Sequence, residues 1–428
     1  MLLDTARALL ASGPLCDPCL GRPFADRSFG LTNAERGNAL RTALALADDE
    51  PYEAPDPEAC WVCEGFCARH DEWAERAADA FEGVDFETYQ VGTRVPPLIE
   101  ENDRLLREEA GMDPDAGEPL KSAFNREVGK RFGQLTDTEV DFERPDVLAL
   151  CHLERDEVEV QINPAFVYGR YEKRERDVPQ TEWPCRECGG SGKQLGDDGE
   201  EPCEYCGGSG YLYDTSVEEE ITPHVKGAMD GEEALFHGAG REDVDAKMLG
   251  TGRPFVVEVK KPRERSPDAD ALQAEINDSS SIVAVSDLSL ATHEMVERVK
   301  KLDASKTYRA TVEFGADITK AELDAAMAEL RGETVEQRTP NRVDHRRADL
   351  VRERTVYDID GELDDARHGV LEVHGAGGLY IKELISSDEG RTDPSLAGLL
   401  GVDAEVTALD VLAVEGEDEP FADEEYLR

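Results

Sequence analysis

The sequence is short of lysine. Thirteen lysines stand beside 34 arginines, and these 47 bases face 96 aspartates and glutamates, for a formal net charge of −49. Such a balance excludes a protein whose affinity for nucleic acid or membrane comes from a generally basic surface. It does not exclude a nucleic-acid partner. In concentrated salt counterion release contributes little, and recognition falls to shape, stacking and local arginine clusters. Long apolar runs are also missing. No stretch approaches the roughly 20 residues of a membrane-crossing helix, and MLLDTARALLASG lacks the basic start and long apolar core of a signal peptide. The expectation is a cytoplasmic protein with no membrane partner. Aromatic residues make up only 6%, but hydrophobic residues reach 39% and recur in periodic segments to the end of the chain. This excludes disorder for most of its length. A surface poor in lysine and crowded with carboxylates is a device of proteins that work at high salt.

The ten cysteines fall mostly into CxxC pairs. In a cytoplasmic protein such pairs mean metal or redox chemistry, not structural disulfides. Cys16 and Cys19 sit in CDPC, and Cys60 and Cys63 in CWVC. Two such knuckles brought together make a tetrahedral four-thiolate zinc site. Cys67 is a fifth thiol able to compete as ligand. A second set, Cys185/Cys188 and Cys203/Cys206, lies in two copies of CxxCGGSG. The glycines let backbone amides curl toward sulfur, and the two copies complete a second structural zinc site. This repeat resembles the cysteine-rich repeats of J-domain co-chaperones. The rest of that pattern is absent, so no chaperone activity follows.

The 428 residues allow two or three domains at roughly 100–200 residues each. The chain divides into an N-terminal zinc module (1–70), a helix–strand segment (71–170), and a larger unit (171–428) that holds the cysteine knuckle at 185–210. Between the first cysteine pairs, TNAE reads as a capped helix start at Thr32. DEWAERAADAF, PPLIEENDRLLREEA and EPLKSAFNREVGKRFGQLT read as helices. Lys121, Arg126, Lys130 and Arg131 make the third of these the most basic. VLALCHL and EVEVQINPAFVYG read as strands. Beyond residue 171 strands alternate with the helices HEMVERVKKL and ITKAELDAAMAELRG. GGLYIKEL reads as a strand whose alternation sets Tyr380 and Lys382 on one face and Ile381 on the other. The acidic tail EGEDEPFADEEYLR reads as frayed and solvated. The fold class is α+β, a mixed sheet flanked by helices.

The stretch Gly238–Phe255, GAGREDVDAKMLGTGRPF, places an arginine and a run of acids between two Gly-x-Gly turns. An acid there is held on a tight loop, not on a helix face. In so acidic a chain the plain reading is a solvated loop. The sharper one makes an acid a nucleophile oriented by a cation. Physical chemistry alone leaves Glu242, Asp243 and Asp245 as candidates.

GRED resembles the catalytic loop of pseudouridine synthases, and the run through VDAKMLGTGRPF resembles the archaeal and eukaryotic tRNA pseudouridine(54/55) synthases. CLGRPFADRSFGLTNAERGNALR, GRYEKRERDVPQTEWPC with SVEEEI, KTYRA, GGLYIKEL and TALDVL extend the likeness over most of the chain. The resemblance implies an isomerase with Asp243 as nucleophile and Lys382 as the cation paired with it. It implies that Tyr308, Tyr380, Ile381, Arg241 and Leu409 contact substrate, Tyr308 by stacking on the base or as the base that takes the C2′ proton. It also implies a pseudouridine synthase core, a THUMP-like RNA-binding part with the basic helix 118–135 toward RNA, and an N-terminal zinc module. No cofactor is expected for catalysis. The implied partner is the T arm of tRNA, modified in its T loop at position 54, position 55 or both, by a monomer. NRVDHRRADLVRER (341–354), centred on His345, Arg346 and Arg347, matches a loop that pinches the RNA stem. The competing reading is a non-catalytic zinc-containing RNA-binding or RNA-chaperone protein.

Overall fold

The computed structural model describes residues 2–196, 199–341 and 348–428. His345, Arg346 and Arg347 lie outside the described residues. The chain forms two compact units, Met1–Pro164 with Lys261–Arg265, and Ala165–Lys260 with Ser266–Arg428. Among the described residues no helix is long and apolar enough to cross a membrane.

The first unit runs α1 (Leu2–Ala11), α2 (Asp17–Gly21), α3 (Asn33–Asp48), α4 (His70–Asp79), β1 (Thr88–Arg94), α5 (Pro97–Glu109), α6 (Leu120–Thr136), β2 (Glu139–Val140), β3 (Val147–His152) and β4 (Glu157–Ile162). The strands form one sheet in the order β2-β1-β3-β4. Thr32 closes a reciprocal capping box with Glu35 at the start of α3, as TNAE predicts. α2 lies against α3 at backbone distance, because a Cβ on Gly37 would fall 1.9 Å from the Asp17 carbonyl oxygen. The cysteine-rich segment does not stand alone. Cys16, Cys19, Cys60 and Cys63 share one apolar core with Ile99 and Leu106 of α5 and with Leu120, so the expected division at residue 70 falls inside one folded body. The basic helix is also less basic than it reads. Arg126 pairs with Glu118 and Glu127, and Arg131 with Asp71 and Glu127.

The second unit contains β5 (Ala165–Lys173), the hairpin β6 (Lys193–Gly196) and β7 (Gly199–Pro202), α7 (Val217–Ala228), β8 (Glu233–Gly238), β9 (Lys247–Lys260), α8 (Ala269–Ser279), β10 (Val283–Ala291), α9 (Glu294–Lys301), β11 (Ala304–Phe314), α10 (Lys320–Leu330), β12 (Thr334–Arg338), β13 (Val351–Leu363), β14 (His368–Gly375), α11 (Ile381–Ser386), β15 (Thr392–Asp393), α12 (Leu396–Leu400) and β16 (Ala404–Gly416). Among the described residues one ten-stranded sheet runs β10-β5-β9-β16-β11-β14-β13-β12-β15, with β8 paired to β9. Among the described residues its pairings are antiparallel, except where β16 meets β9 in parallel, Asp410 opposite Lys247 and Val411 opposite Met248. Two apolar cores flank this junction. One gathers α7, α8 and α9 against β5, β9 and β10. The other gathers α10, α11 and α12 against β11, β13 and β14. Tyr308 of β11 packs against both.

Two sequence-based expectations are corrected here. GGLYIKEL is not a strand. The chain turns after β14, with the Leu379 amide donating to the Ala376 carbonyl, and α11 begins at Ile381. Ile381, Leu384 and Ile385 are all buried, and their i, i+3, i+4 spacing is that of a helix face. The acidic tail is docked rather than frayed. Phe421 is fully buried, Arg298 donates to its carbonyl at 3.0 Å, and Leu427 bridges to Ala291.

Candidate active site and metal centres

β8 ends at Gly238 and β9 starts at Lys247, so residues 239–246 must cross between two paired strands as an irregular loop. Backbone polar groups in such a loop need partners, and side chains and one amide of the neighbouring strands and segment supply them. Arg253 donates to the Ala239 carbonyl at 2.8 Å and Gln180 to the Gly240 carbonyl at 2.8 Å. Lys173 donates to the carbonyls of Asp243 and Val244 at 3.3 and 3.1 Å. The Asp177 amide also reaches the Val244 carbonyl. Arg176 donates to the Asp245 carbonyl at 2.7 Å and pairs with Asp410. The segment 173–180, which carries Lys173, Arg176, Asp177 and Gln180, is therefore the bed on which the loop lies.

The three acids of the loop part company in this setting. The Glu242 side chain is 1% exposed. It accepts from Arg253 Nε and from the Tyr171 hydroxyl, both at 2.8 Å, with Lys173 Nζ 3.7 Å away. Desolvation pulls Lys173 below the ordinary lysine value, opposed by the Glu242 charge. Desolvation acts on Arg253 in the same sense, but Glu242, Tyr171 and Tyr308 together outweigh it and hold the guanidinium above its usual value. Glu242 is thus an anchor facing inward, with no freedom to reach substrate. Asp243 and Asp245 remain accessible, at 49% and 65% exposure, and Lys382 Nζ lies 3.8 Å from Asp243 Oδ2 and 3.5 Å from Asp245 Oδ2.

Asp243, and not Asp245, faces a cavity of about 580 Å³, within the range of small-molecule sites. Around it the structure gathers Arg241, Asp243, Tyr308, Tyr380, Ile381, Lys382 and Leu409. Tyr380 caps α11 and Lys382 is its second residue, so a helix start, not strand alternation, brings Tyr380, Ile381 and Lys382 to one wall. The buried Gln337 side chain fixes that wall, accepting from the Tyr380 amide at 2.9 Å and donating to its carbonyl at 3.0 Å. Desolvation raises the Tyr308 phenol to about 12, with Asp243 adding in the same direction and Arg253 opposing. The phenol therefore keeps its proton at neutral pH. Lys306, two residues before Tyr308 on the same strand face, also lines the cavity. Desolvation, then Arg253, holds its amine below the ordinary value.

Sequence reasoning missed Lys306, Gln337 and the Glu242–Arg253–Lys173 network. KTYRA and GTGRPF were the segments in which to look for Lys306 and Arg253, but nothing in either string separates a buried cation from an exposed one.

The cysteines converge on two sites. Cys185, Cys188, Cys203 and Cys206 bring their sulfurs within 4.8 Å of one another, with Cys185–Cys203 and Cys188–Cys206 each at 3.9 Å. A tetrahedral zinc at the usual Zn–S distance of about 2.3 Å sets its sulfurs about 3.8 Å apart, so the set fits. The Gly192 and Gly210 amides donate to Cys188 and Cys206 Sγ at 3.3 and 3.2 Å. Against desolvation, the Gly210 and Gly208 amides bring the Cys206 thiol down to about 6. At the N-terminal site the set differs from the expected one. Cys16, Cys19, Cys63 and Cys67 converge within 4.8 Å, while Cys60, buried nearby, stands outside that tetrad. The reason is local: Gly65 and the short 3-10 turn Phe66–Ala68 swing Cys67 back onto the cluster, where it lies 4.0 Å from Cys19. The fully buried Arg22 donates to Cys19 Sγ at 3.2 Å and pairs with Asp103, which sets a positive charge beside the thiolates such a site requires.

Residues 166–415, more than half the chain, match the family described as Pus10, C-terminal, and residues 73–152 match the archaeal Pus10 THUMP domain. A protein from Halorubrum lacusprofundi named tRNA pseudouridine synthase Pus10 is 67% identical over 428 residues, covering 100% of this chain and 99% of its own. Proteins of the same name from Methanothrix thermoacetophila and Pyrococcus furiosus are 45% and 40% identical, each over 97% of this chain and over 95% and 98% of their own. A solved Cbf5-Nop10-Gar1 complex overlaps 47% of this chain and 46% of its own at 22% identity with a TM-score of 0.30, too low to weigh on the fold. With the family match spanning most of its second unit and full-length relatives at these identities, this chain belongs to the archaeal Pus10 family and is an isomerase of the pseudouridine synthase kind.

Proposed function

We propose that the chain converts uridine to pseudouridine in the T loop of tRNA, at position 54, position 55 or both, with Asp243 as the nucleophile. A uridine extruded from the loop enters the cavity. The Asp243 carboxylate attacks C1′ as the bond from C1′ to N1 breaks and its electron pair stays on the base. The base rotates, C5 attacks C1′ and releases the carboxylate, C5 loses its proton and N1 gains one. Reactant and product are isomers, so no redox partner or group donor is consumed. Tyr308 stacks on the base with its phenol protonated, which favours stacking over proton abstraction as its role. Lys382 holds the nucleophile's charge in place, Arg241 engages a phosphate, and Tyr380, Ile381 and Leu409 complete the pocket.

The observation that carries this reading is Asp243 on a braced loop, within 3.8 Å of Lys382 and on one cavity with Tyr308. The two cysteine tetrads hold structural zinc that takes no part in the isomerisation. The protein works as a monomer in the cytoplasm, with the N-terminal zinc module, the THUMP-like part and the catalytic part with its knuckle insertion acting on one tRNA. The test is carbodiimide mapping of T-arm transcript after incubation without cofactor. Wild type makes pseudouridine, and Asp243→Ala makes none while still binding the RNA. Full product from Asp243→Ala removes that residue from its role, and no product from wild type leaves the RNA-binding alternative.

A further inference from the structure

The loop 239–246 has a second concave side. A smaller cavity of about 110 Å³ lies across it, and Arg241, Glu242 and Asp243 line both cavities. The far wall of the small one is formed by Pro179, Gln180 and Trp183. Its chemistry differs from that of the large one. A half-buried indole supplies a flat apolar face, an exposed guanidinium supplies positive charge, and the amide N–H groups of Gln180 are taken by the Tyr171 hydroxyl and the Gly240 carbonyl, which leaves its amide oxygen as acceptor. Stacking faces beside an arginine and a fixed amide are what an unpaired nucleobase needs. The volume suits one planar ring.

Trp183 is held for this purpose by the cysteine knuckle. Its carbonyl accepts from the Leu212 amide at 3.0 Å, its ring meets Tyr213 edge-on at 5.5 Å, and the next residue, Pro184, bridges to Tyr211. Cys185 follows immediately, its amide bonded to the Gly210 carbonyl. The two ends of the knuckle thus close directly beneath the indole. We infer that the small cavity is a stacking subsite, with Trp183 as its platform, for the unpaired nucleotide adjoining the target uridine, and that the knuckle exists to hold that platform against the catalytic loop. This rests on the functional reading above and deepens it. An RNA chain with its target base in the large cavity must cross the Arg241–Asp243 ridge, and the small cavity is the hollow on the ridge's other side.

The test uses T-arm stem-loop RNAs carrying an abasic ribose at each loop position in turn, with wild type, Trp183→Ala and Trp183→Phe. Base–aromatic stacking of this kind is worth about tenfold or more in affinity. The expected result is a tenfold weakening of the intact stem-loop by Trp183→Ala, largely recovered in Trp183→Phe. On the RNA lacking the base next to the target, Trp183→Ala and wild type bind equally. Tryptophan fluorescence falls on binding in wild type and not in Trp183→Phe. An equal loss on every abasic RNA makes Trp183 a structural residue, and no loss on the intact RNA removes the subsite; either overturns the proposal. Pseudouridine is mapped alongside in wild type. Product formed with no Trp183 effect sinks the subsite alone, whereas absence of product sinks the functional reading beneath it.

Discussion

Glu242 and Asp243 are neighbours in sequence and opposites in environment. The first is buried against Arg253, Tyr171 and Lys173, and the second stands on the cavity wall. Removing one partner of a buried ion pair strands the other charge and costs about 3–5 kcal/mol, so Glu242→Gln should lower stability by that order in chemical denaturation. Asp245→Asn, at an exposed site, should change it by less than about 0.5 kcal/mol. Equal effects would mean that the loop is not anchored through Glu242. Tyr308 gives a prediction about pH. Its phenol is raised from 10 to about 12. A raised value favours the protonated form in the folded protein, so that contribution is complete below pH 10 and is lost as pH climbs through about 12. Single-turnover rates should therefore not climb with phenol ionisation between pH 8 and 10, and Tyr308→Leu should cost more than Tyr308→Phe because the ring does the stacking. A rate rising tenfold per pH unit in wild type, and flat in Tyr308→Phe, would make the phenolate a base instead. At this scale the sequence, through its resemblance to known synthases, pointed to Arg241, Asp243, Tyr308, Tyr380, Ile381, Lys382 and Leu409, which face the cavity, but not to Lys306 beside them. It was mute about those beneath the loop, because Lys173, Arg176 and Arg253 look like any other cation in a charged chain until burial is known.

At the scale of elements, legibility followed periodicity and capping. Thr32 and Thr319 both close capping boxes, and both helices begin where their sequences place them. GGLYIKEL misled because a six-residue helix is too short to declare its period against two flanking glycines. The acidic tail misled because composition says nothing of one buried phenylalanine or of Arg298 donating to the tail's carbonyls. The contact of α2 with α3 offers a test of how the first cysteine cluster is built. α2 carries Cys19, and Gly37 lets α3 approach it. Gly37→Ala would drive a methyl group into the Asp17 carbonyl, an overpacking that costs about 1–3 kcal/mol. The variant should release bound zinc to a chelator faster than wild type while the second cluster keeps its metal. Unchanged release would show that the four thiols are placed without help from that contact.

For the whole molecule the governing quantity is charge. With 96 acids against 47 bases, the folded surface repels itself, and screening by salt relieves the repulsion. The melting temperature should rise as KCl is raised from 0.1 M toward molar, and a fall would contradict the high-salt reading made from lysine scarcity alone. Against that acidity the loop 239–246 gathers cations, with Lys173, Arg176, Arg241, Arg253, Lys306 and Lys382 all on it or facing it. Lys173 and Arg253 face Glu242, Arg176 pairs with Asp410, and Lys382 lies beside Asp243. The most direct measurement compares single-turnover pseudouridine formation on T-arm RNA by Asp243→Asn and Asp245→Asn at molar KCl, with RNA affinity measured for each. Loss of a nucleophile costs about 10⁴-fold or more. Asp243→Asn should fall by at least that factor with its affinity unchanged, and Asp245→Asn by less than about tenfold. The reverse order, or a comparable loss in both, would contradict the assignment of Asp243.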